Sequence, residues 1–146
     1  MSAEKDNREA ERWLRTADGD LATARVLRDA RRFAHACFHA HQAAEKAIKA
    51  CAFACGGDPW GHSVQDLIRA LATEDANTGS RLLPLSERGA RLDRYYIPTR
   101  YPNGLPQDTP EEAFFEDDAV QALAIAEEIL VVVRSHLRAG FQPERQ

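Results

Sequence analysis

The sequence predicts an all-α fold, an up-down four-helix bundle with an additional short helix, and three observations carry that prediction. Apolar residues recur at steps of three and four along most of the chain, no segment alternates with period two, and the long periodic stretches are separated by short breaks. The chain has 146 residues, 44% hydrophobic and 29% charged, which suits one globular domain and excludes a disordered one.

The first helix is predicted over about residues 8–29. Trp13, Ala17, Leu21, Ala24 and Leu27 share one face, charges fill the other, and Gly19 weakens the middle. A very short turn leads to a second helix over about 31–55, stopped by Gly56-Gly57. On it Phe33, Cys37, Ala40, Ala44, Ala47 and Cys51 lie on one side, small enough to admit a close helix neighbour. His35, His39, Gln42, Glu45, Lys46 and Lys49 lie opposite. Ser63 is a candidate N-cap for a short third helix carrying Val64, Leu67, Ile68 and Leu71. Residues 73–80 read as a loop, and a fourth helix is expected over about 81–96, carrying Leu82, Leu85, Leu92 and Tyr95 or Tyr96. Pro98, Pro102, Pro106 and Asn103-Gly104 make 97–108 a stiffened break. Thr109 and Pro110 then open a last helix running to about residue 138, with Val120, Leu123, Ile129 or Leu130, Val133 and Leu137 as its inner stripe. The domain is expected to span 1–146, with its core over about 8–138 and a frayed tail over 139–146.

Charge narrows the function. The net charge is −4, so unaided gripping of duplex nucleic acid is disfavoured, although 19 Lys and Arg leave room for a local basic patch. The three cysteines, Cys37, Cys51 and Cys55, form no disulfide framework. Cys51 and Cys55, one helical turn apart, read as small buried hydrophobes. No apolar run approaches a membrane span and no secretory signal is visible, which points to a cytoplasmic protein with no membrane partner.

Residues 36–50 (ACFHAHQAAEKAIKA) run from an aromatic and His region into Gln-x-x-Glu-Lys-x-x-Lys, and this string resembles the second-helix signature of the HEPN domain family. Residues 61–67 (GHSVQDL) resemble its following His-Ser/Thr-Leu element. Residues 96–102 (YIPTRYP) match its Arg-Tyr-Pro loop, and Trp13 with Asp20-Leu21 and Ala24 fits its opening helix. The resemblance covers about residues 10–137. It implies a helical bundle, commonly a homodimer, often paired with a small nucleotidyltransferase in toxin–antitoxin or related systems, and a nucleotide-binding role. Family ribonucleases resemble one another in an Arg-x(4–6)-His motif near the start of the last helix; here Arg100 is followed by 101–107 with no histidine. Arg28 with His35 and Arg32 with His39 reproduce the spacing at the wrong place. The resemblance therefore disfavours an RNA-cleaving activity.

The candidate ligand-binding residues are Gln42, Glu45, Lys46, Lys49, Arg100 and Tyr101, with His39 and His62 as accessories. Lys46 and Lys49 would supply positive charge and Gln42 would read a polar edge. Glu45 would hold Arg100, whose guanidinium can fork onto phosphate or tie its loop to the bundle. The alternative is a solvated face of weak local pairs. His35, His39 and His62 lack a completing carboxylate or cysteine set, so no metal and no cofactor is expected. Phe38 and Phe53 fall on the polar side of the second helix, where a lone chain would expose them, which suggests a second copy covering them. Two rivals stand beside the binding module: an RNA-cleaving toxin with an atypical site, and a pure dimerisation or interaction scaffold.

Overall fold

The computed structural model describes residues 2–141. Helix α1 spans Ala3–Asp29, five residues longer at its start than expected, because Ser2 caps it by accepting from the Lys5 amide at 3.2 Å and acids occupy its first turn. Ala30 and Arg31, the latter with φ 62°, turn the chain sharply back into α2, Phe33–Ala54. A Schellman closure ends α2: the Gly56 amide donates to Phe53 O and the Gly57 amide to Ala52 O, both at 2.9 Å. Gly56 takes the left-handed φ of 78° that this closure requires.

Helix α2 is the centre of the molecule. Fourteen of its 22 residues are buried, so it is enclosed on nearly every side rather than on one. Its alanines let α1 pack along one flank and α7 along another, while α3 and α5 cover the rest.

Helix α3, Val64–Glu74, begins at Ser63, whose hydroxyl accepts from the Asp66 amide at 3.1 Å. The loop expected over 73–80 is instead the end of α3 followed by α4, Ala76–Leu82. Gly79 permits this, since it sits against Ala72 where a Cβ would come within 2.7 Å of the Ala72 Cα. The fourth helix expected over 81–96 is divided by Pro84 into a 3₁₀ turn, Leu83–Leu85, and α5, Ser86–Asp93. Leu82, Leu85 and Leu92 point inward.

The last helix also starts later than expected. Pro110–Ala113 forms a single turn, α6, and Thr109 spends its hydroxyl on Glu112 rather than on a backbone cap. Phe114 breaks the helix in an extended conformation and packs its ring against Tyr95. Helix α7, Glu116–Phe141, then begins with the Asp118 carboxylate reaching back to the Phe115 amide at 2.8 Å. Val120 is exposed rather than inward, because the inward position one turn before Leu123 is Ala119. Residues 139–141 of the expected frayed tail are helical, and 142–146 lie outside the described residues. No strand occurs among the described residues, and the bundle class holds. No helix among them is long and apolar enough to cross a membrane.

Candidate ligand-binding site

The polar residues of α2 form two ion-pair networks and one aromatic cluster. In the first network, Lys46 Nζ lies 2.6 Å from Asp20 Oδ2 on α1, and His39 Nδ1 lies 3.8 Å from the other oxygen, too far for a hydrogen bond. Burial pushes the Asp20 carboxyl up, but His39 and Lys46 outweigh it and hold the group below the usual carboxylate range. Lys46 also lines a hollow of about 290 Å³ with Glu9, Arg12, Trp13 and Thr16.

In the second network, Glu45 is almost fully buried. Its Oε2 lies 3.3 Å from Lys49 Nζ and its Oε1 lies 3.1 Å from His62 Nδ1. Lys49, also buried, sits 5.7 Å from the ring centre of Trp13, which stacks on Phe53. Glu45 therefore does not hold Arg100, as the sequence reading expected. One turn of α2 brings Lys49 to its carboxylate, and the Gly61-His62 turn brings the imidazole to the other oxygen.

Arg100 is held differently. Its Nε donates to Tyr96 O at 2.8 Å, and its Cζ lies 4.7 Å from the Phe38 ring centre, 4.4 Å from Tyr96 and 5.0 Å from Tyr101. It forms no ion pair with a carboxylate among the described residues. The 97–108 loop folds locally to allow this, since Arg100 and Tyr101 amides both donate to Ile97 O and Thr99 bonds back to Tyr95 O. Phe38 is thus covered by Tyr96 and Arg100 of its own chain, and Phe53 by Trp13. Neither ring needs a second copy to cover it, so that argument for a homodimer falls away.

Gln42 lies on α2 one turn from Phe38 and His39 on one side and from Glu45 and Lys46 on the other, between the networks. Its amide faces His41 Nδ1 at 3.4 Å. The three cations do not line one hollow: Lys46 opens toward α1, Lys49 is enclosed with Glu45, and Arg100 faces the loop side.

Sequence reasoning missed His41, Tyr96 and Asp93, which shape this region. His41, fully buried, places Nε2 3.0 Å from Asp93 Oδ1. A carboxylate can only accept, so His41 donates from Nε2 and its Nδ1 receives the Gln42 amide. Asp93 also accepts from the Val64 amide at 2.7 Å, the Gln65 amide at 3.1 Å and Ser63 Oγ at 2.8 Å. Burial raises its pKa, yet these hydrogen bonds prevail and leave it lowered. Tyr96 is the hub, with His62 stacked 5.0 Å from it, His41 at 5.2 Å and Phe38 at 6.3 Å. Nothing in sequence spacing joins positions 41, 63 and 93.

At the far end, Cys55 is exposed rather than buried as expected, its thiol facing Asp75 at 3.5 Å and Thr78 at 3.7 Å. Burial of part of the group, with the neighbouring acids, pushes this thiol up, opposite to the shift that activates a thiolate. No group of three or more His, Cys, Asp or Glu among the described residues is arranged to hold a metal ion.

A central helix with a charged seam, roofed by an Arg-Tyr-Pro loop and flanked by a capped short helix, defines a HEPN-type bundle. The chain belongs to the HEPN domain family, whose model matches residues 10–136. It is 27% identical over 137 residues to a Methanocaldococcus jannaschii protein named "Putative toxin MJ1304", covering 90% of each. Among solved structures it is similar to TT1696 from Thermus thermophilus, with TM-score 0.77 and 36% identity, covering 86% of this chain and 96% of that one. It is also similar to ST0689, described as an archaeal HEPN homologue, with TM-score 0.71 and 30% identity over 88% and 97% of the two chains.

Proposed function

We propose that this chain is a non-catalytic binding module for a phosphate-bearing ligand of nucleotide type, acting in a toxin–antitoxin-like pair with a nucleotidyltransferase and as a homodimer. Arg100 carries the reading. Its guanidinium is oriented through Nε and surrounded by three aromatic rings, while no carboxylate among the described residues neutralises it. A half-buried cation without a counter-ion gains most from an anion, and its forked terminal nitrogens suit phosphate oxygens. Tyr101, 49% exposed beside it, offers a face for a base. The toxin-like context is supported by the name of the archaeal relative, and the nucleotidyltransferase partner and the homodimer by the family resemblance alone. Calorimetry against a panel of nucleoside mono-, di- and triphosphates tests the reading. Saturable heat that Arg100→Ala abolishes is expected; flat traces across the panel would refute it.

One observation favours a second reading, RNA cleavage at an atypical site. The exposed His62 is hydrogen-bonded through Nδ1 to buried Glu45 and stacks on Tyr96, the ring that also carries Arg100. A carboxylate-held imidazole near a guanidinium is suited to proton transfer at a phosphodiester. RNA degradation by the purified chain that is lost in both Arg100→Ala and His62→Gln would place this reading first.

A further inference from the structure

A hollow of about 260 Å³ opens between the C-terminal end of α2, the 57–60 turn and α3. Its floor is apolar, formed by Ile48, Leu67 and Leu71. Three carboxylates line it, Asp58, Asp66 and Glu74, and none forms an ion pair among the described residues. No Lys, Arg or His lines it. Trp60 completes the wall, and at 83% exposure it is the most exposed large hydrophobic side chain of the described residues. That ring is nevertheless pinned, because its indole Nε1 donates to Asp58 Oδ2 at 3.2 Å.

An apolar floor, an unneutralised acidic rim and a fixed, solvent-facing indole suit a cation carried on a hydrocarbon stem. The volume lies below that of pockets for drug-sized ligands or cofactors, and suits a single long side chain. A guanidinium fits the walls better than an ammonium. It is the more weakly hydrated of the two, it stacks on indole faces, and it can fork onto carboxylate oxygens. We propose that this hollow is the docking site for an arginine side chain of a partner polypeptide, with the methylenes over Ala52, Leu67 and Ala70 and the guanidinium between Trp60 and the carboxylates. Buried arginine anchors of this kind concentrate binding energy at protein interfaces. The site is independent of the Arg100 reading, since the two share no residue.

The test uses the full chain and the peptide acetyl-Gly-Arg-Gly-amide, followed by NMR through the indole N–H signal of Trp60, with the Trp13 indole as internal reference. A saturable shift of the Trp60 signal is expected, with the Trp13 signal still. The same peptide with citrulline, a neutral isostere, should bind at least about tenfold more weakly, as should the arginine peptide to an Asp66→Asn/Glu74→Gln variant. Trp60→Ala, read by the backbone amides of Leu67 and Leu71, should weaken binding without unfolding the chain, because the ring is mostly exposed. The absence of a saturable shift, or equal binding of the citrulline peptide, would overturn the proposal. Equal or tighter binding of a lysine peptide or of spermidine would overturn the assignment to arginine.

Discussion

Removing the half-buried Asp93 side chain should destabilise the bundle strongly, and the structure sets the size of the loss. Asp93 joins three elements: α5, where it is the last residue, α3 through Val64, Gln65 and Ser63, and α2 through His41. Asp93→Ala uncovers amides at the start of α3, for which loss of a capping partner costs about 1 kcal/mol. It also leaves the fully buried His41 with an unmatched donor, at about 1–3 kcal/mol. The sum is about 3 kcal/mol, or roughly 6–12 °C in melting temperature for a chain of this size. The loss also has a pH signature. The folded pKa of Asp93 lies below the ordinary aspartate value, so its stabilisation is present above the unfolded pKa. It fades as pH falls through the folded value. Urea unfolding followed by far-UV circular dichroism, at neutral pH and again in acid, measures both effects. A wild-type advantage that is large at neutral pH and shrinks in acid is expected. A variant within about 0.5 kcal/mol of wild type at neutral pH, or a gap unchanged in acid, would refute the reasoning.

Three further outcomes follow from the packing. Glu45→Gln leaves Lys49 buried without its counter-ion and should cost about 3 kcal/mol in urea unfolding, while the double variant Glu45→Gln/Lys49→Met should recover most of it. Gly79→Ala should cost about 1–3 kcal/mol, because the new Cβ meets the Ala72 backbone at 2.7 Å and α3 and α4 must part; a melting temperature equal to wild type would contradict the close approach. Arg25→Ala, which removes the half-exposed pair with Glu127, should change stability by less than about 1 kcal/mol, with any effect vanishing at high salt.

How much of this was legible in the sequence depended on whether the signal was local. Helix ends with their own punctuation were readable: Gly56-Gly57 closes α2 and Ser63 caps α3 as spacing implied. The middle was not. Residues 73–80 carry Asn, Thr, Gly and Ser, which favour loops in isolation, yet all but Asp75 are helical, with Gly79 packed closely on Ala72. Thr109-Pro110 signalled a helix start correctly, but only for one turn. The break at Phe114 arises from its packing on Tyr95, a contact no local pattern encodes. The site followed the same division. Periodicity placed Gln42, Glu45, Lys46 and Lys49 along one side of α2, but it could not say which acid would meet which cation. Asp20, on another helix, took Lys46, and Glu45 was satisfied within its own helix and by His62, leaving Arg100 to the aromatic rings.

That distribution of counter-ions ranks the cations. An anionic ligand approaching Lys46 must compete with a carboxylate 2.6 Å away, and one approaching Lys49 must compete with buried Glu45. In each case the new attraction is offset by repulsion from the resident acid, so the net gain is small. At Arg100 the rings supply packing and a favourable quadrupole but no opposing charge, so a phosphate there adds a charge-assisted hydrogen bond worth about 1.5–3 kcal/mol. Arg100→Lys, which keeps the charge but loses the fork and the stacking, should therefore weaken nucleotide binding by roughly 10- to 100-fold. Lys46→Met should weaken it by less than about threefold, since the Lys46 charge is already engaged by Asp20 and contributes little net attraction to an anion at Arg100. Calorimetry on the two variants decides between the positions. A larger loss in Lys46→Met than in Arg100→Lys would move the anion to the α1 side of α2, into the hollow that Lys46 shares with Arg12 and Trp13.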